Sequence, residues 1–356
     1  MKSYDIADFG APLALSERPT PQPRGTEVLL KVLAAGMCHS DVHMWEGYFD
    51  MGGGRKLTQT ERGLKLPHTM GHEIAGELVA FGPDAAAAAE VAGLKPGGRY
   101  LVYPWVGCGR CEVCRDGDEQ LCLTPRFIGL HVAGGYADHV IVCHPRYLVD
   151  IEDLSPAEAA LFACSGLTAY GALRKLGDRL QRSPTVIVGA GGLGLMALNL
   201  HRAMKGKAAV VVDVDPAKRA AALAAGAAAA IDGAAADAVQ QIKQAVGGPV
   251  FSIVDLVGSG QTLAMGIDCL TKSGKLVVVG LFGGKVEIPT PLIPQKAMTI
   301  QGSYVGSLQE LRDLLQLVRR TRMPSIPIDR RALNQADAAL RQLQAGRVLG
   351  RVVLAP

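Results

Sequence analysis

The sequence is poor in aromatics and thinly charged. Phe, Trp and Tyr make up 5% of the 356 residues, and Asp, Glu, Lys and Arg only 20%. Its 37 basic and 33 acidic residues leave a net charge of +4, with no long run of either sign. The densest basic cluster, Arg319-Arg320-Thr321-Arg322, reads as a helix end, so no nucleic-acid surface is expected. No apolar run reaches membrane-spanning length, because the alanine tracts are broken by glycine and charge. Nor does Met1-Lys2-Ser3-Tyr4-Asp5 look like a secretory leader, so the eight cysteines are expected in a reducing cytoplasm. Hydrophobic residues, in contrast, reach 49%. That supplies a large core, argues against disorder, and with this length suits two domains.

Half of the cysteines fall in one short stretch. Cys108, Cys111 and Cys114 are each separated by two residues, and Cys122 follows after seven more. Four thiolates this close suit a tetrahedral zinc with sulfur at about 2.3 Å. Two disulfides are the alternative, and the absence of a secretory leader argues against them. A closed four-sulfur site has no open position, so it is structural and the chemistry lies elsewhere. Cys143 and Cys269 sit in apolar surroundings and read as small core residues.

Up to about residue 150 the chain is rich in Gly and Pro, with short alternating runs at 27–34, 74–81, 100–103 and 137–142. This pattern predicts an irregular antiparallel barrel. At Ser155-Pro156 a helix cap and first-turn proline open a different regime. From Thr185 to about Ile293, β-branched runs alternate with Ala-rich helical stretches, which predicts a parallel sheet covered on both faces. After Pro294 a helical 308–320 and an apolar 348–354 are expected to rejoin the first domain. The domains are therefore 1–154 with 294–356, and an inserted 155–293.

Within the insertion, Gly189, Gly191 and Gly194 form G-x-G-x-x-G between a strand and a helix. The glycines allow a tight turn, close approach of a pyrophosphate, and close helix–strand packing. The phosphates would sit on the free amides of Gly192 and Leu193 at the helix start. Asp213 follows Gly194 by 19 residues at the end of the next strand, where a carboxylate accepts ribose hydroxyls and repels a 2′-phosphate. NAD is therefore expected over NADP, with nearby Lys218 and Arg219 softening the discrimination. Asp215, before Pro216, equally reads as a helix cap.

Three further clusters need explaining: Cys38-His39-Ser40-Asp41-Val42-His43, then Gly71-His72-Glu73, then Cys164 in Ala163-Cys164-Ser165. Singly, each is compatible with core packing. Together they offer two sulfurs and an imidazole, a zinc set with a fourth position open. Over its whole length the chain resembles the zinc-dependent medium-chain alcohol dehydrogenases, most closely the tetrameric prokaryotic type. Residues 63–73, Gly-Leu-Lys-Leu-Pro-His-Thr-Met-Gly-His-Glu, carry that likeness.

The resemblance implies an α/β fold, with a Rossmann domain inserted in a GroES-like irregular β-barrel catalytic domain. It assigns Cys38, His72 and Cys164 to a catalytic zinc, with Glu73 able to enter or leave the coordination sphere. Asp41 would orient His72, Ser40 would hydrogen-bond the alcohol oxygen, and His43 would pass its proton to solvent. His39 and Arg351 match pyrophosphate-contacting positions, and Cys108, Cys111, Cys114 and Cys122 match the structural zinc lobe. The implied activity is reversible, NAD-dependent oxidation of an alcohol by a cytoplasmic homo-oligomer, a tetramer or a dimer. A polyol dehydrogenase branch usually has glutamate as the third ligand, which Cys164 argues against. The ligand set also argues against a zinc-free quinone or enoyl reductase. Retention of Ser40, Asp41 and His43 argues against a non-enzymatic NAD- or zinc-binding protein. Trp45, Phe49 and Trp105 are expected to line an apolar pocket for secondary, cyclic or aromatic alcohols, with core packing as their alternative role.

Overall fold

The computed structural model describes residues 1–356. Val28–Gly36 is the axis of the first domain. Its nine residues are buried nearly throughout and pair antiparallel with Glu73–Phe81 along one edge. Along the other edge lie His139–Val142 and then the C-terminal strand Arg351–Ala355. Beyond Glu73–Phe81 come Arg99–Val102 and Leu148–Asp150. The C-terminal strand pairs with Val28–Gly36 and carries Ile328–Ala332 parallel beside it. The hydrogen-bonded sheets remain open, so the expected barrel does not close.

The second sheet has six parallel strands, in the order Ala229–Asp232, Ala209–Asp213, Thr185–Val188, Val250–Asp255, Leu270–Val278, Thr299–Gly302. Thr185–Val188 is buried on both faces. Ile187 joins the core shared with the first domain, while Val186 and Val188 pack with Ile242 and Ile267 on the opposite face. This is why the run shows no polar alternation. The sixth strand, Thr299–Gly302, lies past residue 293 and pairs with Leu270–Val278. Three of its four residues, Thr299, Ile300 and Gly302, are exposed, so no apolar run marks it in the sequence.

The crossover helix Gly192–Ala203 buries an unusual residue. His201 is 1% exposed, and its Nε2 has no hydrogen-bond partner. The ring packs so close to Gly206 that a Cβ there would lie 2.2 Å away. Burial pushes the His201 pKa down to about 4. Because the folded value lies below the unfolded one of about 6.5, the unfolded chain takes the proton first. The neutral ring is fully tolerated above about pH 6.5, and stability is lost as pH falls toward 4. Between pH 7 and pH 5 the wild type should lose about 2 kcal/mol more unfolding free energy than His201→Leu. Urea titrations at the two pH values measure this, and equal losses would remove His201 as the cause.

Candidate active site

Strand register assembles the centre. Gly36 pairs with Glu73, so Cys38, two residues past the first strand, lies beside His72 at the start of the second. Gly71 precedes His72 with φ of +95°, and a Cβ there would meet the Tyr136 ring at 2.5 Å, so both backbone and space require glycine. Cys164 arrives from the other side on a π-helical turn, Phe162–Gly166, between helices Pro156–Leu161 and Leu167–Arg174. Such turns displace a side chain out of regular helical register.

The Cys38 and Cys164 sulfurs are 3.9 Å apart, and with a His72 ring nitrogen all three donor atoms fall within 4.8 Å. Tetrahedral zinc would separate two sulfurs by about 3.7 Å. His72 is fully buried, and Nε2 has no hydrogen-bond partner, which is costly unless a further group uses the lone pair. The residues therefore fit a metal ion. Between the two thiols, the hydrogen bond from Cys164 pushes Cys38 down and Cys164 itself up. Burial alone would lower the His72 pKa, but the Asp41 carboxylate, 3.3 Å from Nδ1, holds it well above the usual value.

Asp41 is itself fully buried. Its Oδ2 accepts the Cys38 backbone N–H at 2.8 Å and the Tyr136 hydroxyl at 2.9 Å, leaving Oδ1 toward His72. One carboxylate thus caps helix His39–Glu46 and sets the imidazole. Glu73 is buried with its pKa raised, chiefly by burial. It accepts from Ser165 N–H at 3.0 Å and is ion-paired to Arg351 Nη2. The Glu73–Arg351 pair joins residues 278 apart and left no trace in the sequence. Arg351 also packs on Gly192, and its Nε has no partner.

Of these groups, Cys38, Cys164, Ser165 and Arg351 open onto a cleft of about 420 Å³ between the two sheets. His39, Ser40 and His43 line it, with Ser40 Oγ 3.8 Å from Cys38 Sγ and the His39 and His43 rings 5.2 Å apart. His43 has its pKa lowered, mainly by burial, and its Nδ1 lies 3.9 Å from Glu46. At the other end are Gly189, Gly191, Gly192, Leu193, Gly194, Asp213 and Lys218. A Cβ on Gly194 would lie 2.0 Å from Gly189 O, which enforces the close helix–strand contact. Helix Gly192–Ala203 has no side-chain cap, so its first amides are free for a phosphate. Asp213 accepts from Ala190 and Asp215 N–H at 2.7 and 2.9 Å. Asp215 caps the next helix through Ala217 N–H, as the alternative reading had it. A larger groove of about 1120 Å³ opens elsewhere, and of all the metal-site residues only Cys108 reaches it.

The aromatic expectations divide. Trp105 is 3% exposed, sits edge-on to His72 at 5.4 Å, and donates its indole N–H to Ala163 O at 2.9 Å. It lines the cleft with Phe49, whose ring is 4.8 Å from His43. Trp45 does not line it: the indole donates to Ala11 O and the ring packs under Arg341, which makes it a core residue. Arg62, Leu130, Thr168 and Tyr304 also line the cleft and were missed, because their inward position comes from tertiary packing and not from residue type or spacing.

In the second cluster, Cys111 Sγ is 3.3 Å from Cys114 and 3.9 Å from Cys122. Backbone N–H groups of Arg110 and Cys111 bring the Cys108 thiol down to about 5, whereas burial pushes Cys114 up to about 12. All eight cysteines are free thiols.

Residues 24–153 match the alcohol dehydrogenase GroES-like domain and residues 192–320 the zinc-binding dehydrogenase domain. Over 357 positions the chain is 37% identical to an NAD-dependent alcohol dehydrogenase of Sulfurisphaera tokodaii, with both chains covered completely. The crystal structure of the alcohol dehydrogenase from Aeropyrum pernix superposes with a TM-score of 0.87 at 30% identity, again covering both chains completely. An acetophenone reductase from Geotrichum candidum, solved with NAD, gives 0.82 at 25% identity, covering 100% of this chain and 97% of its own. The chain belongs to the zinc-dependent medium-chain alcohol dehydrogenase family.

Two zinc ions per chain are expected by elemental analysis, and full activity with one or none would refute the ligand sets. Cys38→Ser should abolish turnover while the fold survives. Cys111→Ser should lower the unfolding temperature more than it changes the chemistry of the remaining folded protein.

Proposed function

We propose that this chain is an NAD-dependent zinc alcohol dehydrogenase whose substrates are apolar secondary, cyclic or aromatic alcohols and the corresponding ketones or aldehydes. The observation carrying the reading is the buried imidazole with an unpartnered nitrogen beside two thiols, which themselves line a cleft that also holds the glycine-rich turn. When bound, zinc supplies Lewis acidity that lowers an alcohol's pKa, and NAD accepts the hydride.

The protein's own groups then have separate tasks. Cys38, His72 and Cys164 hold the catalytic ion, and Asp41 fixes the ring of His72. Ser40 takes a hydrogen bond from the alcohol oxygen, and His43 carries the proton outward past Glu46. Glu73 is a reserve carboxylate, kept in place by Arg351. His39, Arg351 and the amides after Gly191 receive the cofactor's phosphates, and Asp213 its ribose, with Lys218 beside it softening the discrimination against NADP. Cys108, Cys111, Cys114 and Cys122 hold the structural ion. Trp105 and Phe49 bound the apolar part of the substrate site, and the resemblance to an acetophenone reductase agrees with an aromatic carbonyl there.

The same reading includes a cytoplasmic homo-oligomer. Eight unpaired thiols suit a reducing compartment, and no helix is long and apolar enough to cross a membrane. The edge strand Thr299–Gly302 and its surroundings expose Ile293 and Ile300, surface that another copy can cover.

An NAD-reduction screen over ethanol, sorbitol, 2-heptanol, cyclohexanol and benzyl alcohol tests the substrate class; leadership by ethanol or sorbitol would overturn it. Asp213→Gly should erode the preference for NAD over NADP, and a wild type as efficient with NADP would refute the role of Asp213. His43→Gln should slow alcohol oxidation at least about tenfold near pH 6 and less at higher pH, where hydroxide removes the proton unaided. A pH profile parallel to the wild type would take His43 out of the proton path.

A further inference from the structure

The cleft holds one cation that nothing neutralises. Arg351 is paired with Glu73, and Lys218 lies 4.0 Å from Asp215. Arg62 takes part in no ion pair. Its position is nonetheless built. Nη1 donates to Gln59 Oε1 at 2.9 Å, and Gln59, which is buried, donates to the His43 carbonyl at 3.2 Å. The guanidinium carbon stands 4.9 Å from the centre of the Phe49 ring, whose other neighbour is His43. Tyr304 adjoins it too: burial pushes that phenol up to about 12, and Arg62 beside it acts the other way. Phe49 and Tyr304 thus connect Arg62 to the ligand side of the cleft, through His43 and through Trp105, which sits against His72.

A guanidinium has five N–H donors in a planar fork, and Gln59 uses one. Half-buried beside the Phe49 ring and next to Tyr304, the fork has no anionic partner and keeps donors to offer one. We propose that Arg62 binds a carboxylate at the far end of the substrate, so that this dehydrogenase takes hydroxy acids: carbinol at the metal site, apolar spacer along Trp105 and Phe49, carboxylate on the guanidinium. The inference rests on the alcohol dehydrogenase reading and extends its substrate class to alcohols, primary ones included, that carry a carboxylate beyond the apolar part. A single planar anion matches a single fork. A phosphate monoester would bring a second charge, for which the substrate end offers no second unpaired cation. The reaction balances as for any alcohol: hydride passes from the carbinol carbon to NAD, the hydroxyl proton goes to solvent, an oxo acid forms, and the carboxylate is unchanged.

The test compares kcat/KM for ω-hydroxy acids, from 4-hydroxybutanoate to 8-hydroxyoctanoate, with that for the 1-alkanol of equal length. Wild type, Arg62→Met and Arg62→Lys are assayed with NAD. In the wild type at least one hydroxy acid should exceed its alkanol by about tenfold or more, and added salt should erode that ratio. Arg62→Met should collapse the ratio about tenfold or more, mainly through KM, and Arg62→Lys should retain part of it. A wild type that favours the alkanol at every length overturns the inference, as does an unchanged ratio in Arg62→Met. Should that variant fail to fold, the wild-type ratio and its salt dependence decide. Turnover of alkanols without preference for the acids defeats this inference alone, whereas no NAD-linked turnover of any alcohol defeats the dehydrogenase reading beneath it.

Discussion

The antiparallel pairing of Val28–Gly36 with Glu73–Phe81 is the constraint on which the site depends. It fixes Gly36 opposite Glu73 and so brings two ligand segments, 34 residues apart in the chain, to one sheet end. A slip of one residue would turn Glu73 away from the centre and bury the opposite set of side chains. The register is pinned by irregularities at Leu29/Leu30 and Val32/Ala34, which add local twist and leave few alternative pairings. The C-terminal strand reads the same register, since Val353 pairs with Gly36 and thereby delivers Arg351 to Glu73.

Two buried carboxylates then set the polarity of the centre. Taking a carboxylate out of water costs several kcal/mol unless hydrogen bonds and opposite charge return it. Asp41 has two close donors and the imidazole facing it, and Glu73 has one backbone donor and a guanidinium. Each carboxylate therefore ties separate chain segments together: Asp41 joins the helix start, His72 and Tyr136, and Glu73 joins the π-helical turn to the last strand. A centre held this way is rigid before any metal arrives, and a rigid ligand set favours one coordination geometry over others.

Much of this was legible in the sequence, for identifiable physical reasons. Metal ligation and phosphate binding demand particular residue types at short spacing, so Cys108–Cys122 and Gly189–Gly194 announce themselves. The strands at 185–188 and 209–213 do so by being apolar on both faces. The rest depended on contacts between distant residues. The pairing of Arg351 with Glu73, the inward position of Arg62 and the burial of Trp45 away from the cleft follow from tertiary packing, and no local pattern encodes them. The strand Thr299–Gly302 was missed for a related reason: its largely exposed residues carry no apolar alternation by which to be found.

The charge distribution along the cleft follows from the same architecture. Asp213, its one acidic lining residue, stands by the glycine-rich turn, where the proposed role has it accept ribose hydroxyls and oppose a 2′-phosphate. Arg351 and the amides at the start of helix Gly192–Ala203 form a positive middle suited to a pyrophosphate. Beyond the metal ligands the walls become aromatic, and the charge that remains is Arg62, on a turn between the strand Lys56–Thr58 and the ligand segment at His72. A turn at that point tolerates substitution far better than the strands that carry the ligands. Reaction chemistry and substrate choice are thus placed on elements of different stiffness. The register of the central strands holds the chemistry, and a short surface segment free to vary holds the charge that selects what enters.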